Sequence, residues 1–378
     1  MDTAVLASRL ETLIRRLARR RGVRHVVVGA CDLDGDWTWS QATGSASPDG
    51  RPMKTDTPWL LASITKLYIA SVVLRLFEEG TIDLDGPIAD HLPAELSSRL
   101  HVLDGVDSTD RLTARHLLAH SSGLPDSIDE RPRGERSLVE EVVESGDRAW
   151  SLEEAILRAR DRLSPHFPPS DPKGARPRIR YSETNYQLLM VMAEQATGRS
   201  LEQVYAEQLF EPLGLRQTWL PGTRSLDPLD EPATVWLGEQ PLVDRPLAFA
   251  SFKDLYATVD DVLSFGRALF SGRVFRHSET LGSMRERFTR FGFPRGMAAL
   301  RAPSWPIAYG LGMMHFELSR LLTVGMRIPA LIGHTGSTGS WLWYCPQLRL
   351  LIAGTVDQTS AATAPFRIVP RAVAGLRA

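Results

Sequence analysis

The chain has 378 residues, 43% hydrophobic and 24% charged, which is typical of a folded globular protein of roughly two domains. Its formal net charge of -1 gives no reason to expect nucleic acid or an anionic surface as a partner. No apolar run reaches the roughly 18 residues that a membrane-spanning helix needs.

The chain begins with an amphipathic helical pattern. One apolar stripe, with arginines opposite, contains Leu6, Leu10, Leu13, Ile14 and Leu17. Such a helix can lie on a membrane surface, but we expect this one to dock on the protein's own sheet. Arginines also interrupt any secretory signal, so we expect a cytoplasmic protein with no stable membrane association.

Two strands and a tight turn are predicted next. A β-branched run extends from His25 to Cys31, and Asp34-Gly35 is a strong hairpin signal before the alternating residues 37–39. Cys31 and Cys345 both lie in apolar, strand-like runs. Two cysteines are too few for a disulfide framework, and we expect buried free thiols.

A helix is predicted to begin at Thr57-Pro58 and to end at Gly80. Ser63 and Lys66 would then lie three residues apart on one face, with the amine close to the hydroxyl. Burial disfavours a charged amine, so a neutral Lys66 could take the proton of Ser63. This is the chemistry of an S-x-x-K nucleophile.

The S-x-x-K spacing occurs a second time, from Ser170 to Lys173. This copy lies in a proline-rich segment between Pro165 and Pro177, which we predict to be an irregular loop rather than a helix. The second copy is therefore interpreted as a chance occurrence.

The middle of the chain is predicted to be largely helical. Residues 113–120 form a short helical pattern, and three later helices are marked by capping boxes that pair Ser137 with Glu140, Ser151 with Glu154 and Ser200 with Gln203. His116 and His120 stand four apart, as metal ligands on a helix can. Since no third ligand is near, we expect no metal there.

A tyrosine stands at the next loop-to-helix junction. Tyr181 to Tyr186 leads into an apolar helix over residues 188–196, which Gly198 closes. Apolar runs at 331–335, 341–345 and 348–356 are separated by tight turns and indicate adjacent antiparallel strands. Residues 361–376 are predicted to form a last helix, broken or started near Pro370.

Several of these segments together resemble the serine β-lactamase and penicillin-binding-protein superfamily, and in particular its class C β-lactamase, esterase and D-peptidase branch. The matching motifs are Leu61 to Lys66, the loop from His120 to Asp126, Tyr181 to Tyr186, and Gly333 to Ser337. The resemblance implies an α/β fold of the α+β type, with an antiparallel sheet flanked by helices. Residues 1–62 and 255–378 would form this lobe, residues 63–254 a mainly helical lobe, and the active site would lie between them.

The resemblance also implies the roles of the motif residues. Ser63 would attack an acyl carbonyl, with Lys66 as base and Tyr181 passing the proton to the leaving group. For Tyr181 to do so, the cleft would have to stabilise its phenolate or share its proton with Lys66. The backbone N–H groups of Ser63 and Ser337 would hold the oxyanion. No metal or organic cofactor is implied.

The motifs depart from the family pattern at two positions in the predicted substrate-binding set, which is Glu183, His334, Thr335 and Gly336. His334 replaces the lysine of many β-lactamases, so a permanent positive charge is missing. Glu183 stands where asparagine is common, and its carboxylate would repel an anionic substrate. Both changes disfavour β-lactam hydrolysis and favour a neutral ester or a substrate with a free amine near Glu183.

We therefore predict a serine hydrolase that cleaves small-molecule esters of small or medium acyl groups. The alternatives are a D-amino-acid-specific peptidase or amidase, an acyltransferase of secondary metabolism, and a non-catalytic sensor that keeps the fold. Residues 126–180 are expected to line the cleft, and the aromatic side chains of Trp341 and Tyr309 are expected to contribute to its wall. The acyl group, the leaving group and the oligomeric state depend on surfaces that the motifs do not define.

Overall fold

The computed structural model describes residues 2–293, 303–318 and 328–376. Its helices, α1 to α13 in chain order, are Thr3–Ala18, Thr65–Glu78, Ala94–Ser97, Ala114–Leu118, Leu138–Ser145, Leu152–Arg162, Glu183–Thr197, Leu201–Tyr205, Glu211–Leu213, Pro246–Phe252, Val259–Phe270, Ser278–Arg285 and Ala364–Val373. Its strands, β1 to β15, are His25–Asp32, Thr38–Gly44, Trp59–Leu60, Val102–Leu103, Val106–Asp107, Thr218–Trp219, Trp236–Leu237, Gln240–Pro241, Tyr256–Ala257, Thr289–Arg290, Ile307–Tyr309, Met314–Phe316, Leu331–Thr335, Trp341–Cys345 and Leu350–Thr355.

Eight strands from the two ends of the chain form one sheet. Their order is β10-β11-β12-β13-β14-β15-β1-β2, and each neighbouring pair is antiparallel. The turn predicted at Asp34-Gly35 joins β1 to β2. These pairings confirm the predicted antiparallel sheet. The sheet could be predicted because hairpin turns and apolar strand runs are visible in the local sequence.

Helices cover both faces of this sheet. Alternate residues of β1 point to opposite sides, so Val26 and Val28 pack with α1 and α13, whereas Val27 packs with α11. Gly29 allows α11 to lie close to the sheet, because a Cβ there would stand 2.7 Å from Val259. The apolar stripe of α1 is buried against the sheet, which confirms the predicted docking.

The central part of the chain is mainly helical, and α2 packs against α7 in its core. The middle of the chain, which was predicted to be largely helical, also contains the two-residue strands β4 to β8. One of these central strands, β6, pairs with β9, which in turn pairs with β3. The division into two lobes at residues 62 and 255 stays a prediction. Among the described residues, no helix is both long and apolar enough to cross a membrane.

The helix that carries the S-x-x-K motif begins later than predicted. Trp59 and Leu60 are a strand, since they pair with Ala257 and Tyr256, and a 3-10 turn over Ala62–Ile64 leads into α2. The helix before Gly198 is longer than predicted and begins at Glu183. All three capping boxes are confirmed, and Cys31 and Cys345 are buried free thiols.

Candidate active site

Ser63 lies in the 3-10 turn between β3 and α2. The residue before it, Ala62, has a φ of 48°, an uncommon conformation for a side chain with a Cβ. Lys66 follows in the first turn of α2, and its Nζ donates a hydrogen bond of 3.3 Å to Ser63 Oγ. The predicted contact between amine and hydroxyl is therefore present.

Lys66 is also paired with a carboxylate. Its Nζ lies 2.5 Å from Glu183 Oε2, and the side chain of Lys66 is 3% exposed, whereas that of Glu183 is 24% exposed. Burial alone would lower the pKa of Lys66, but the carboxylates of Glu183 and Asp254 outweigh burial and hold that pKa above its ordinary value. The expected neutral Lys66 is therefore wrong for the resting site.

Tyr181 immediately precedes the first turn of α7. Burial, followed by the charge of Glu183, raises the pKa of Tyr181 well above its ordinary value, and an interaction of the phenol with the Ser63 side chain opposes this shift. Lys66 Nζ lies 5.1 Å from the centre of the Tyr181 ring, within the range of a cation–π contact. The resting site therefore holds a neutral phenol beside a charged amine.

The loop from His120 to Ser127 fixes the front of α7. Ser182, which occupies the N-cap, makes no side-chain cap bond to the helix, and instead its hydroxyl donates to Pro125 O at 2.9 Å. The cap comes from Asp126, whose Oδ2 accepts the Glu183 N–H at 2.9 Å. Ser127 N–H donates to Thr184 Oγ1 at 3.0 Å. These contacts fix the backbone at the start of α7, and therefore the positions of Tyr181 and Glu183.

His334 lies on β13 and is fully buried. Its Nδ1–H donates to Thr335 O at 2.8 Å, so Nε2 accepts from Tyr309 Oη at 3.0 Å. Burial and the charge of Lys66 lower the pKa of His334 to about 3. His334 is thus a neutral side chain with both nitrogens bonded within the protein, and its role in substrate binding stays a prediction.

The end of β13 packs directly on the turn that carries Ser63. A Cβ on Gly336 would lie 2.7 Å from Ala62 Cβ and 3.0 Å from Leu61 O, and Ser340 Oγ donates to the same carbonyl at 2.9 Å. Ser337 follows Gly336 and is exposed. This close approach supports the predicted pair of oxyanion donors at Ser63 and Ser337, which stays a prediction together with substrate contacts from Thr335 and Gly336.

The sequence did not indicate Asp254. It lies beside Lys66 and Thr65, and burial raises its pKa to about 7, although the charge of Lys66 opposes this shift. Asp254 lies just before β9 and belongs to no motif that the sequence reveals. The pairing of β9 with β3 brings it to the site.

Two aromatic side chains expected in the cleft wall lie elsewhere. Trp341 is fully buried in the core between the sheet and helices α1 and α13, because its position in β14 points it to that face. Tyr309 is buried beneath the site against His334. The second S-x-x-K segment is irregular, and Lys173 contacts the exposed Asp85. Among the described residues, no group of three or more metal-ligating side chains comes together.

The family model described as Beta-lactamase matches residues 10–372 of the sequence. The chain belongs to the β-lactamase family. One relative in this family is esterase EstB of Burkholderia gladioli, which is 33% identical over 57% of this chain and 52% of its own length. Another is monacolin J acid methylbutanoyltransferase of Aspergillus terreus, 30% identical over 54% of this chain and 50% of its own length.

The chain spans about half the length of these two members of the β-lactamase family. The fold is shared much more widely. D-amino acid amidase of Ochrobactrum anthropi SV3, in its complex with L-phenylalanine, superimposes with a TM-score of 0.74 over 97% of both chains at 22% identity. This likeness confirms the β-lactamase-like fold that the motifs predicted.

Proposed function

We propose that this chain is a serine hydrolase that cleaves carboxylic esters of small or medium acyl groups through an acyl-enzyme on Ser63. The observation that carries the proposal is the convergence on Ser63: Lys66 Nζ lies 3.3 Å from Ser63 Oγ, and the Tyr181 phenol interacts with the Ser63 side chain. A hydroxyl held between an amine and a phenol has a proton acceptor and a proton donor within reach.

The proposed reaction has two steps. Ser63 Oγ attacks the ester carbonyl while its proton passes to Lys66, and the tetrahedral oxyanion is held by the backbone N–H groups of Ser63 and Ser337. The C–O bond to the alcohol then breaks, and Tyr181 delivers a proton to the departing oxygen. In the second step water attacks the acyl-enzyme and gives its proton to the Tyr181 phenolate. The bond between the acyl carbon and Ser63 Oγ then breaks, Lys66 returns its proton to Ser63 Oγ, and the acid is released. Because Lys66 is an ammonium in the resting site, the active form is the one in which Lys66 has lost its proton.

Hydrolysis of p-nitrophenyl butyrate by the whole chain tests this proposal. We expect Ser63→Ala to lower kcat by at least about 10³-fold, because the nucleophile is lost. Ser170→Ala is the matched control, since it removes the serine of the second S-x-x-K segment and should leave turnover unchanged. Turnover that survives Ser63→Ala unchanged would refute the proposal.

A D-amino-acid-specific amidase or peptidase is the second candidate. Glu183 favours it, since its partly exposed carboxylate lies beside the nucleophile and could receive a substrate ammonium. Rates on D-alanyl and L-alanyl p-nitroanilide, measured beside the butyrate ester, separate the two functions. A preference for the D-anilide that disappears in Glu183→Gln would favour the amidase, whereas ester turnover without anilide turnover would exclude it.

A further inference from the structure

His120 has no role in the proposed reaction, yet it occupies an unusual position under the site. It is fully buried, and its φ is 54°. The left-handed conformation costs roughly 1–2 kcal/mol for a residue with a Cβ, so it persists only where surrounding contacts impose it. His120 lies just after α4, and its side chain forms hydrogen bonds at the start of α7, with Ser182 and Asn185.

The imidazole of His120 accepts two hydrogen bonds on a single nitrogen. Its Nδ1 accepts from the Ser182 N–H at 3.2 Å and from Asn185 Nδ2 at 3.0 Å. Because the Ser182 backbone N–H can only donate, it makes Nδ1 the acceptor, and the Asn185 amide then turns Nδ2 to the ring and Oδ1 to the Ser122 hydroxyl at 2.6 Å. The ring is therefore the Nε2–H tautomer. Burial, followed by the charge of Lys66, also holds the pKa of His120 well below its ordinary value.

His120 binds the chain on both sides of Tyr181. The Arg180 N–H donates to His120 O at 2.9 Å, and the Ser182 N–H donates to the His120 ring. The ring itself stacks against Tyr181, with centroids 4.3 Å apart and planes inclined by 33°. One residue therefore holds the backbone before Tyr181, the backbone after it and one face of its ring.

A purely structural role does not explain a histidine at this position. His120 Nε2 is buried and has no hydrogen-bond partner among the described residues, and the ring also lies near those of Tyr186 and Tyr309, with centroids 5.1 and 4.7 Å away. A buried N–H without a partner costs about 1–3 kcal/mol, which an apolar ring of similar size would avoid. What histidine adds is the acceptor at Nδ1 together with a flat surface for Tyr181.

We propose that His120 is a positioning residue that holds the Tyr181 phenol against Ser63. This inference rests on the proposed function, because it assigns to His120 the placement of the group that protonates the leaving oxygen. A displacement of about 1 Å at such a group is enough to lower a rate by about a hundredfold.

Two substitutions of His120 distinguish the effect of the hydrogen-bond acceptor at Nδ1 from the effect of the size of the side chain. In His120→Asn, Oδ1 replaces Nδ1 as an acceptor, and asparagine tolerates a positive φ. In His120→Leu, both properties are lost. For p-nitrophenyl butyrate we expect His120→Leu to lower kcat about tenfold to a hundredfold with KM changed less than about twofold, and His120→Asn to stay within about fivefold of the parent chain.

The matched control is His116→Leu, in helix α4, which His120 follows. The ring of His116 bonds to Thr113 in the capping box of α4 and not to Tyr181. We expect it to lower the melting temperature without lowering kcat per folded molecule. Folded protein is quantified in every variant by circular dichroism, so that loss of folding is not counted as loss of turnover.

A double-mutant cycle with Tyr181→Phe gives the decisive readout. If His120 acts through the Tyr181 phenol, His120→Leu should lower kcat by less than about twofold once Tyr181 is phenylalanine. Full additivity of the two substitutions would overturn the proposal, and so would unchanged kcat in His120→Leu alone. Absence of any Ser63-dependent turnover in the parent chain would instead refute the proposed function.

Discussion

Lys66 and Glu183 form a 2.5 Å ion pair beside the nucleophile, although they lie on different helices and 117 residues apart. Glu183 occupies the position at which asparagine is common in the family that the motifs resemble. Burial of Lys66 favours the neutral amine, and the carboxylate opposes it. The two residues together therefore decide at which pH the proposed base becomes available.

Replacement of Glu183 by glutamine should move the pH dependence of turnover. A base must lose its proton, so kcat rises as pH rises through the pKa of Lys66, which the parent chain holds above its ordinary value. Without the carboxylate, burial lowers that pKa, and we expect the rise in kcat to shift by at least about one pH unit toward acid. Glu202→Gln, at an exposed position on α8, should leave the profile in place.

The pH profile of kcat for p-nitrophenyl butyrate, recorded from neutral to alkaline pH, checks this shift. The carboxyl of Asp254 and the rings of Tyr181, Tyr186, His120 and His334 also face Lys66, so the shift is compared between variants and not assigned from one profile. An unchanged profile in Glu183→Gln would show that the ion pair does not control the base.

Gly336→Ala should weaken the site without unfolding the protein. The new Cβ would lie 2.3 Å from Ser340 Oγ and 2.7 Å from Ala62 Cβ, so β13 must move away from the turn that carries Ser63. We expect kcat to fall about tenfold to a hundredfold, because the oxyanion donors separate. Gly282→Ala on α12 is the control, since nothing lies within 4 Å of its Cβ position. Equal kcat in both variants would contradict the close approach.

Asp254→Asn should make stability less sensitive to pH. In the folded chain burial raises the pKa of Asp254 from 3.8 to about 7, so the protonated form is favoured and the folded state loses stability as pH rises between these values. An asparagine does not titrate, so the Asp254→Asn variant does not lose this stability as pH rises. We expect its free energy of unfolding relative to the parent to be about 4 kcal/mol more favourable above this range than below it.

Urea unfolding followed by tryptophan fluorescence on both sides of this pH range measures the difference for Asp254→Asn. Asp110→Asn, at an exposed position, serves as the control and should show the same difference from the parent at both pH values. A pH-independent effect of Asp254→Asn would show that Asp254 does not titrate in this interval.

The sequence predicted those parts of the fold and site that depend on local spacing. The strands of the sheet follow apolar alternation and hairpin signals, and the contact of Ser63 with Lys66 follows from a separation of three residues. The capping boxes are equally local. These features need no knowledge of which distant segments meet.

The remaining features depend on contacts between distant segments. The local signals predict a helix at Trp59, but pairing with Ala257 makes it a strand residue. The spacing of His116 and His120 suggested a possible metal pair, whereas the partners of the His120 ring are Ser182 and Asn185, at the front of α7. The charge of Lys66 was missed for the same reason, since Glu183 reaches it only through the packing of α7 on α2.

Covalent labelling of Ser63 tests the central claim most directly. A fluorophosphonate reacts with an activated serine and leaves a phosphonyl group on its Oγ, with loss of fluoride. Intact-mass spectrometry of the whole chain should show one adduct on the parent, one on Ser170→Ala and none on Ser63→Ala. An adduct that persists in Ser63→Ala, or a parent chain that remains unlabelled, would contradict the account.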